Sequence, residues 1–284
     1  MKPSLVSDWI DLGKPRIVAA GALAALAGYL APGQPVDASR LLFALAGIGV
    51  VTAAAGMLNQ VLETAIDARM PRTAQRPLPS GRVSVRAAAI VGIVLALASL
   101  LLLAVRSNAL TTGLAFIALV SYLFVYTPLK RVTSLNTFVG AIPGALPPVL
   151  GWTAATNSLG AGAYALFAIL YVWQLPHFLA IAWLYRRDYE MGGLKMLPAH
   201  DPDGSLVARQ MCFHAVALCL VALLPFRFGL AGPLYLVGTL FFGLLFLIPA
   251  FRFMARRTDT SARHVLLASL VYLPGVLCLI ALGR

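Results

Sequence analysis

NQVLETAIDARMPRTAQRPLPSGR, residues 59–82, follows an uncharged run from Leu41 to Leu58 and decides how the rest of the chain reads. The run is long enough to be most of a membrane helix. It ends in Asn59, Glu63 and Asp67, spaced i, i+4 and i+8, which a period of 3.6 residues places on one face. Arg69, Arg72, Arg76 and Arg82 follow at once. Carboxylates and arginines crowded against a membrane helix are expensive, and they need partners, water or a ligand.

The wider composition agrees with a membrane setting. Of the 284 residues, 60% are hydrophobic and only 11% charged, where a soluble domain carries about a quarter charged. Apolar runs of helical length exclude an outer-membrane barrel, whose strands alternate over roughly ten residues. We expect nine spans at about 16–31, 41–62, 86–105, 109–126, 133–152, 161–184, 210–226, 230–252 and 264–282. They form a single domain over 1–284. The segment Met1–Lys14 reads as polar, without a cleavable signal.

The net charge of +12 does not point to nucleic acid, because it is sorted by loop. Eighteen of the 22 Lys and Arg fall in alternate loops, starting with Lys2, Lys14 and Arg16. The other side holds only Arg40, Arg106, Arg227 and Arg284. The positive-inside rule then predicts a cytoplasmic N-terminus and an external C-terminus. Every acid except Asp37 falls on the predicted cytoplasmic side, so the candidate chemistry shares one membrane face. Cys212, Cys219 and Cys278 lie in apolar runs without CxxC spacing and read as core or lipid-facing residues.

Asn59, Glu63 and Asp67 offer five side-chain oxygens along roughly 12 Å of helix. Magnesium favours oxygen ligands and is bound through one or two carboxylates plus substrate phosphates. The stripe therefore suits a metal-bridged diphosphate. The alternative is a polar seam in which Glu63 and Asp67 pair locally with Arg69 and Arg72. A second cluster, LYRRDYEMGGLKMLP at 184–198, puts Asp188 near the end of span six, with Glu190 about 160° away on a helix. Asp188 holds a second metal opposite the stripe, or it belongs to a solvated loop with local ion pairs. Lys130, in YTPLKR, can meet phosphate as a point charge, and Tyr126 can donate a hydrogen bond. Pro143, Pro147 and Pro148 mark span five as irregular, the kind of helix that lines a cavity. His177, in WQLPHF, is a satisfied core residue, an axial iron ligand or a proton carrier. A faint echo relates Asp67–Arg72 to Asp188–Pro198, each an acid, a base and a proline after a span.

Several of these stretches together resemble the UbiA superfamily of intramembrane prenyltransferases. NQVLETAIDARMPRTAQRPLP resembles its first Asp-rich motif, and GKPRI at 13–17 is similar too. The segments 126–152, WQLPHF and YRRDYEMGGLKMLP resemble one branch, the protoheme IX farnesyltransferases or haem O synthases. Lys14 to Pro198 carries the match. The resemblance implies a nine-transmembrane-helix all-α bundle around a central cavity open to the cytoplasmic side and bilayer. It implies Mg²⁺-dependent transfer of farnesyl from farnesyl diphosphate to a vinyl group of haem B, with water added, giving haem O. It assigns Asn59, Glu63 and Asp67 to the first metal–diphosphate site and Asp188 to the second. Arg72, Arg76, Lys130, Tyr126 and Lys14 fall to the diphosphate, and His177, Trp173 and Arg187 to the haem. Arg186, Arg187 and Lys14 are available for its propionates. Phe124, Trp152, Tyr171, Trp173 and Phe178 are candidate linings for the prenyl chamber. A bacterial inner membrane, haem A synthase and oxidase assembly factors complete the setting it implies.

The sequence departs from the pattern in three places. Glu63 stands where the superfamily commonly has Asp, Leu175 replaces the first proline of a Pro-Pro-His, and AHDPDG follows Pro198. Two rival readings are a UbiA-type enzyme acting on an aromatic or quinone precursor, and a secondary transporter. Transporter carboxylates sit near the midplane, whereas these cluster at one face.

Overall fold

The computed structural model describes residues 4–282; the N-terminal Lys2 and C-terminal Arg284 used in the charge count lie outside them. Among the described residues the regular structure is helical. We label the helices α1 (Leu5–Leu12), α2 (Pro15–Leu30), α3 (Ala38–Asp67), α4 (Val85–Arg106), α5 (Ala109–Leu129), α6 (Asn136–Thr156), α7 (Ala161–Leu184), α8 (Arg186–Met191), α9 (Ser205–Arg227), α10 (Pro233–Arg256) and α11 (Asp259–Leu282).

Eight of these helices are long and apolar enough to cross a membrane, so the chain is an integral membrane protein. The remaining expected span, the first, corresponds to α2 and has 16 residues, which is shorter than the roughly 20 of a full crossing. Its small residues pack closely on α6. Gly28 of α2 lies against the Pro148 carbonyl, and Gly151 of α6 against the Ala25 carbonyl, where a Cβ on either glycine would collide with backbone. Small residues of this kind let membrane helices approach without a hydrophobic drive between them.

Successive spans pack on one another, and α11 returns to both α2 and α7. One apolar core joins α2, α3, α4 and α5 through Ala25, Ile48, Val51, Leu103 and Leu119. A second joins α6, α7, α9, α10 and α11 through Trp152, Ile169, Met211, Phe246 and Val276. Leu97, Leu101, Val105, Phe241 and Leu244 face outward, as they would toward lipid.

One feature departs from the sequence reading, and two others sharpen it. Residues 5–12, read as polar, form a helix: Leu5, Val6 and Ile10 are exposed, while Asp8 is buried. Two Arg82 nitrogens reach the Asp8 carboxylate at 2.9–3.1 Å, docking α1 on the bundle. Span six ends at Leu184; Tyr185 breaks it, and Asp188 sits on the separate short helix α8. Span five is interrupted between Gly144 and Pro147, as its prolines suggested. At that break Gln174 of α7 donates to the Ala141 carbonyl at 3.2 Å, which also accepts from the Ala145 amide at 3.0 Å.

Candidate active site

At 30 residues, α3 is roughly 45 Å long at 1.5 Å per residue, well beyond a hydrocarbon core of roughly 30 Å. Its last turns therefore carry Asn59, Glu63 and Asp67 past the apolar layer as one helix face. All three are buried, with relative exposures of 3, 7 and 2%. A buried carboxylate without compensation costs several kcal/mol or takes up a proton. Each is compensated by a partner from elsewhere in the chain.

Asp67 accepts from Arg76 at 2.8 Å. The contact exists because Pro71 starts a short helix, Pro71–Ala74, that turns the chain back under α3. The Thr73 hydroxyl also donates to the Asp67 carbonyl at 2.8 Å and secures the turn. Glu63 accepts from Lys130 at 2.9 and 3.1 Å. Asn59 accepts from Lys14 at 3.3 Å and donates to the Thr127 hydroxyl at 3.0 Å. Local pairing of the acids with Arg69 and Arg72 is thus not what forms; Arg76 and Lys130 take those places.

Lys14 reaches the stripe through an unusual backbone. It caps α2 at φ 52°, in the left-handed region, and its methylenes lie across Gly56, one turn before Asn59. Burial, then the nearby charges of Lys130 and Arg76, lower its pKa from 10.5 to about 8. Lys130 is held from below by the Tyr126 ring, 4.5 Å from its Nζ to the centroid. That ring lies flush on Gly140 of α6. The turn carrying it, Ser121–Tyr126, is wound as a π-helix, a distortion common at functional sites. Tyr126 thus meets Lys130 with its face.

The second cluster comes to the first. Arg72 stacks over Tyr185 at 4.4 Å, contacts the Tyr189 hydroxyl at 3.4 Å and pairs with Asp188 at 3.8 Å. Met70 and Ile66 pack on Gly192 and on Leu194, Met196 and Tyr189. The loops are also tied by backbone. The Lys195 amide donates to the Lys130 carbonyl at 2.8 Å, and Asn136 donates to the Lys195 carbonyl at 2.9 Å. The echo between the motifs has a structural counterpart, a long helix followed by a short one in each.

The haem-directed candidates are less unified. His177 and Trp173 stack at 4.8 Å on α7. Arg187 is exposed and without an ion pair among the described residues, while Arg186 is paired with Asp259 at 2.8 Å. Of the proposed chamber aromatics, Phe124 is exposed and Trp152 packs on Gly162 at the opposite end of the bundle. An open groove of about 250 Å³ adjoins Glu63, lined by Leu62, Ile66, Leu123, Thr127 and Pro128 among others. Thr127, Gly56 and Asp8 escaped the sequence reading; only Thr127, inside YTPLKR, lay in a stretch that it had singled out.

The protein donors on the stripe are oxygens, which suits a hard cation. Among the described residues no three of His, Cys, Asp or Glu converge on one point.

The model of the UbiA prenyltransferase family matches residues 19–272. The chain belongs to the UbiA prenyltransferase family. It is 47% identical to the protoheme IX farnesyltransferase of Salinibacter ruber, over 96% of this chain and 97% of that one. It is 43% identical to the protoheme IX farnesyltransferase of Solibacter usitatus, over 98% of each. The similarity therefore runs through all the helices, past the Pro198 limit of the motifs. Among solved structures, a digeranylgeranylglyceryl phosphate synthase superposes with TM-score 0.80 at 16% identity, over 98% of each chain. A UbiA homologue from Archaeoglobus fulgidus, bound to DMAPP and Mg²⁺, gives 0.65 at 16%, over 97% of this chain and 99% of that one. The eight long helices and α2 thus form a UbiA-type bundle.

Proposed function

We propose that this chain transfers the farnesyl group of farnesyl diphosphate to a vinyl group of haem B, with addition of water, releasing diphosphate and giving haem O. The observation that carries the reading is the pairing of each stripe residue with a cation, in a chain that matches protoheme IX farnesyltransferases over nearly its whole length.

The clamp has a chemical logic. Without substrate, Glu63, Asp67 and Asp188 are neutralised by Lys130, Arg76 and Arg72. These cations lie where a prenyl diphosphate would meet them, and Asn59, Glu63 and Asp67, with Asp188, would hold Mg²⁺ beside it. The metal adds charge stabilisation to the leaving diphosphate. Lys14, Lys130, Arg72 and Arg76 stabilise the same charge from fixed positions, the electrostatic contribution that commonly dominates such steps. Tyr126 and Gly140 keep Lys130 from straying. The farnesyl chain extends from Glu63 along the adjoining groove, shielded from water until the vinyl carbon attacks. The Archaeoglobus homologue with DMAPP and Mg²⁺ supports the choice of metal.

We place the enzyme in a bacterial inner membrane, N-terminus inside and C-terminus outside, by the charge distribution of its loops. A haem A synthase and oxidase assembly factors are the partners this product calls for. The test is to incubate purified protein with haem B, farnesyl diphosphate and Mg²⁺ and to identify pigments by mass spectrometry. Haem O is the expected product. Prenylation of an aromatic acid with haem B left unchanged would overturn the choice of acceptor.

A further inference from the structure

Ser269 lies in the apolar middle of α11, one turn before Tyr272, and it is fully buried. Its Oγ donates to the Leu266 carbonyl one turn back, at 2.6 Å. The same Oγ lies 2.7 Å from Nδ1 of His177, across the interface between α7 and α11. Its backbone carbonyl accepts from Nε1 of Trp173 at 2.9 Å, and Trp173 is the ring stacked on His177. One serine therefore holds both members of the α7 pair.

A hydroxyl has a single proton to give. With that proton committed to Leu266, the short contact to His177 requires the imidazole to be the donor. The ring is then the Nδ1–H tautomer, and the lone pair is on Nε2, which has no hydrogen-bond partner among the described residues. Trp173, itself tethered to Ser269, closes one face of the ring and keeps it from turning over. A neutral imidazole anchored through one nitrogen and bare at the other is how histidines are prepared to bind a metal.

We propose that Ser269 is a positioning residue that fixes His177 as the Nδ1–H tautomer, so that Nε2 is the atom offered to the iron of the haem acceptor. The inference rests on the reading of haem as the acceptor, and it explains why a serine interrupts the apolar face of α11. It also orients the acceptor, because ligation at His177 ties the porphyrin to α7, the helix that leads into α8 and Asp188.

Two measurements on the full-length protein test it. The first is ¹⁵N NMR of the histidine ring in labelled, haem-free protein: a protonated Nδ1 and bare Nε2 at His177 are expected, and the opposite tautomer overturns the proposal. The second is titration with haem B, followed by absorption and resonance Raman, for the wild type, His177→Ala, Ser269→Ala and Ser269→Thr. His177→Ala should lose the iron–histidine band and shift the Soret maximum. Ser269→Ala should weaken haem binding about tenfold, raise KM for haem but not for farnesyl diphosphate, and alter the iron–histidine band; Ser269→Thr should restore all three. A wild-type spectrum in Ser269→Ala, beside an altered one in His177→Ala, overturns the role of Ser269 alone. A Soret band untouched by His177→Ala overturns iron ligation. Failure of the wild type to bind haem at all overturns the acceptor reading, and the NMR result still decides the tautomer.

Discussion

The Nζ of Lys130 reaches both carboxylate oxygens of Glu63, at 2.9 and 3.1 Å, across 67 residues of sequence. Both side chains are nearly buried, with exposures of 12 and 9%. Removing one partner of such a pair strands the other. Lys130→Met should therefore destabilise the protein by about 3–5 kcal/mol and raise KM for farnesyl diphosphate. The double variant with Glu63→Gln should be more stable than the sum of the singles implies. Thermal unfolding in detergent of the four proteins gives the answer, and strict additivity would mean that the pair is not coupled.

Arg72 is flanked by Tyr185 and Tyr189 and pairs with Asp188, so its planar fork is used on its face and its edge. A lysine keeps the charge and loses the stacking. Arg72→Lys should raise KM for farnesyl diphosphate about tenfold, the equivalent of roughly 1.4 kcal/mol, with KM for haem unchanged. Steady-state kinetics with each substrate varied in turn distinguishes this from a general loss.

Asn136 joins the loops that carry Lys130 and Asp188, through its bonds to the Thr133 and Lys195 carbonyls at 2.6 and 2.9 Å. It is fully buried, so both donors are needed where they are. Asn136→Leu keeps the branched shape and frees the strap. Faster hydrogen exchange is expected at 192–196 and at the Lys195 amide in particular, together with weaker binding of inorganic diphosphate. Unchanged exchange in that segment would show that the strap is held by other contacts.

Lys14 supplies a pH dependence whose sign follows from its lowered pKa. The folded metal-free protein loses this proton near pH 8, while the unfolded chain keeps it to 10.5. Between those values the unfolded state binds more protons, so this group makes stability rise with pH. Comparison of wild type with Lys14→Met isolates it. The wild type should gain thermal stability relative to the variant from pH 8 to 10.5, and parallel curves would contradict the lowered pKa.

The spans were legible because hydropathy and length alone mark them, and the oxygen stripe because i, i+4 and i+8 fall on one face of any helix. The partners of the stripe were not. Arg69 and Arg72 are nearest to Asp67 in sequence, but the turn at Pro71 points Arg72 at Tyr185 and brings Arg76 back instead. Lys130 and Glu63 meet only because α5 lies against α3. The helix α1 was missed for a related reason. Its Asp8 looks like a solvent residue until Arg82, 74 positions later, buries it. The end of span six at Leu184 matches its expected bound, but the break at Tyr185 carries no proline or glycine, so the separate short helix that holds Asp188 was not legible. Ser269 was invisible in an apolar helix, since its role depends wholly on what α7 places beside it.

We propose that the Asn59–Asp67 stripe and its cations form one metal-dependent diphosphate clamp. The most direct measurement is calorimetric binding of a non-cleavable farnesyl thiodiphosphate, with and without Mg²⁺, to wild type and Asp67→Asn. The wild type should bind at least about tenfold more tightly with Mg²⁺, and Asp67→Asn should bind weakly and without regard to the metal. Binding by Asp67→Asn with the full Mg²⁺ dependence of the wild type would contradict the claim.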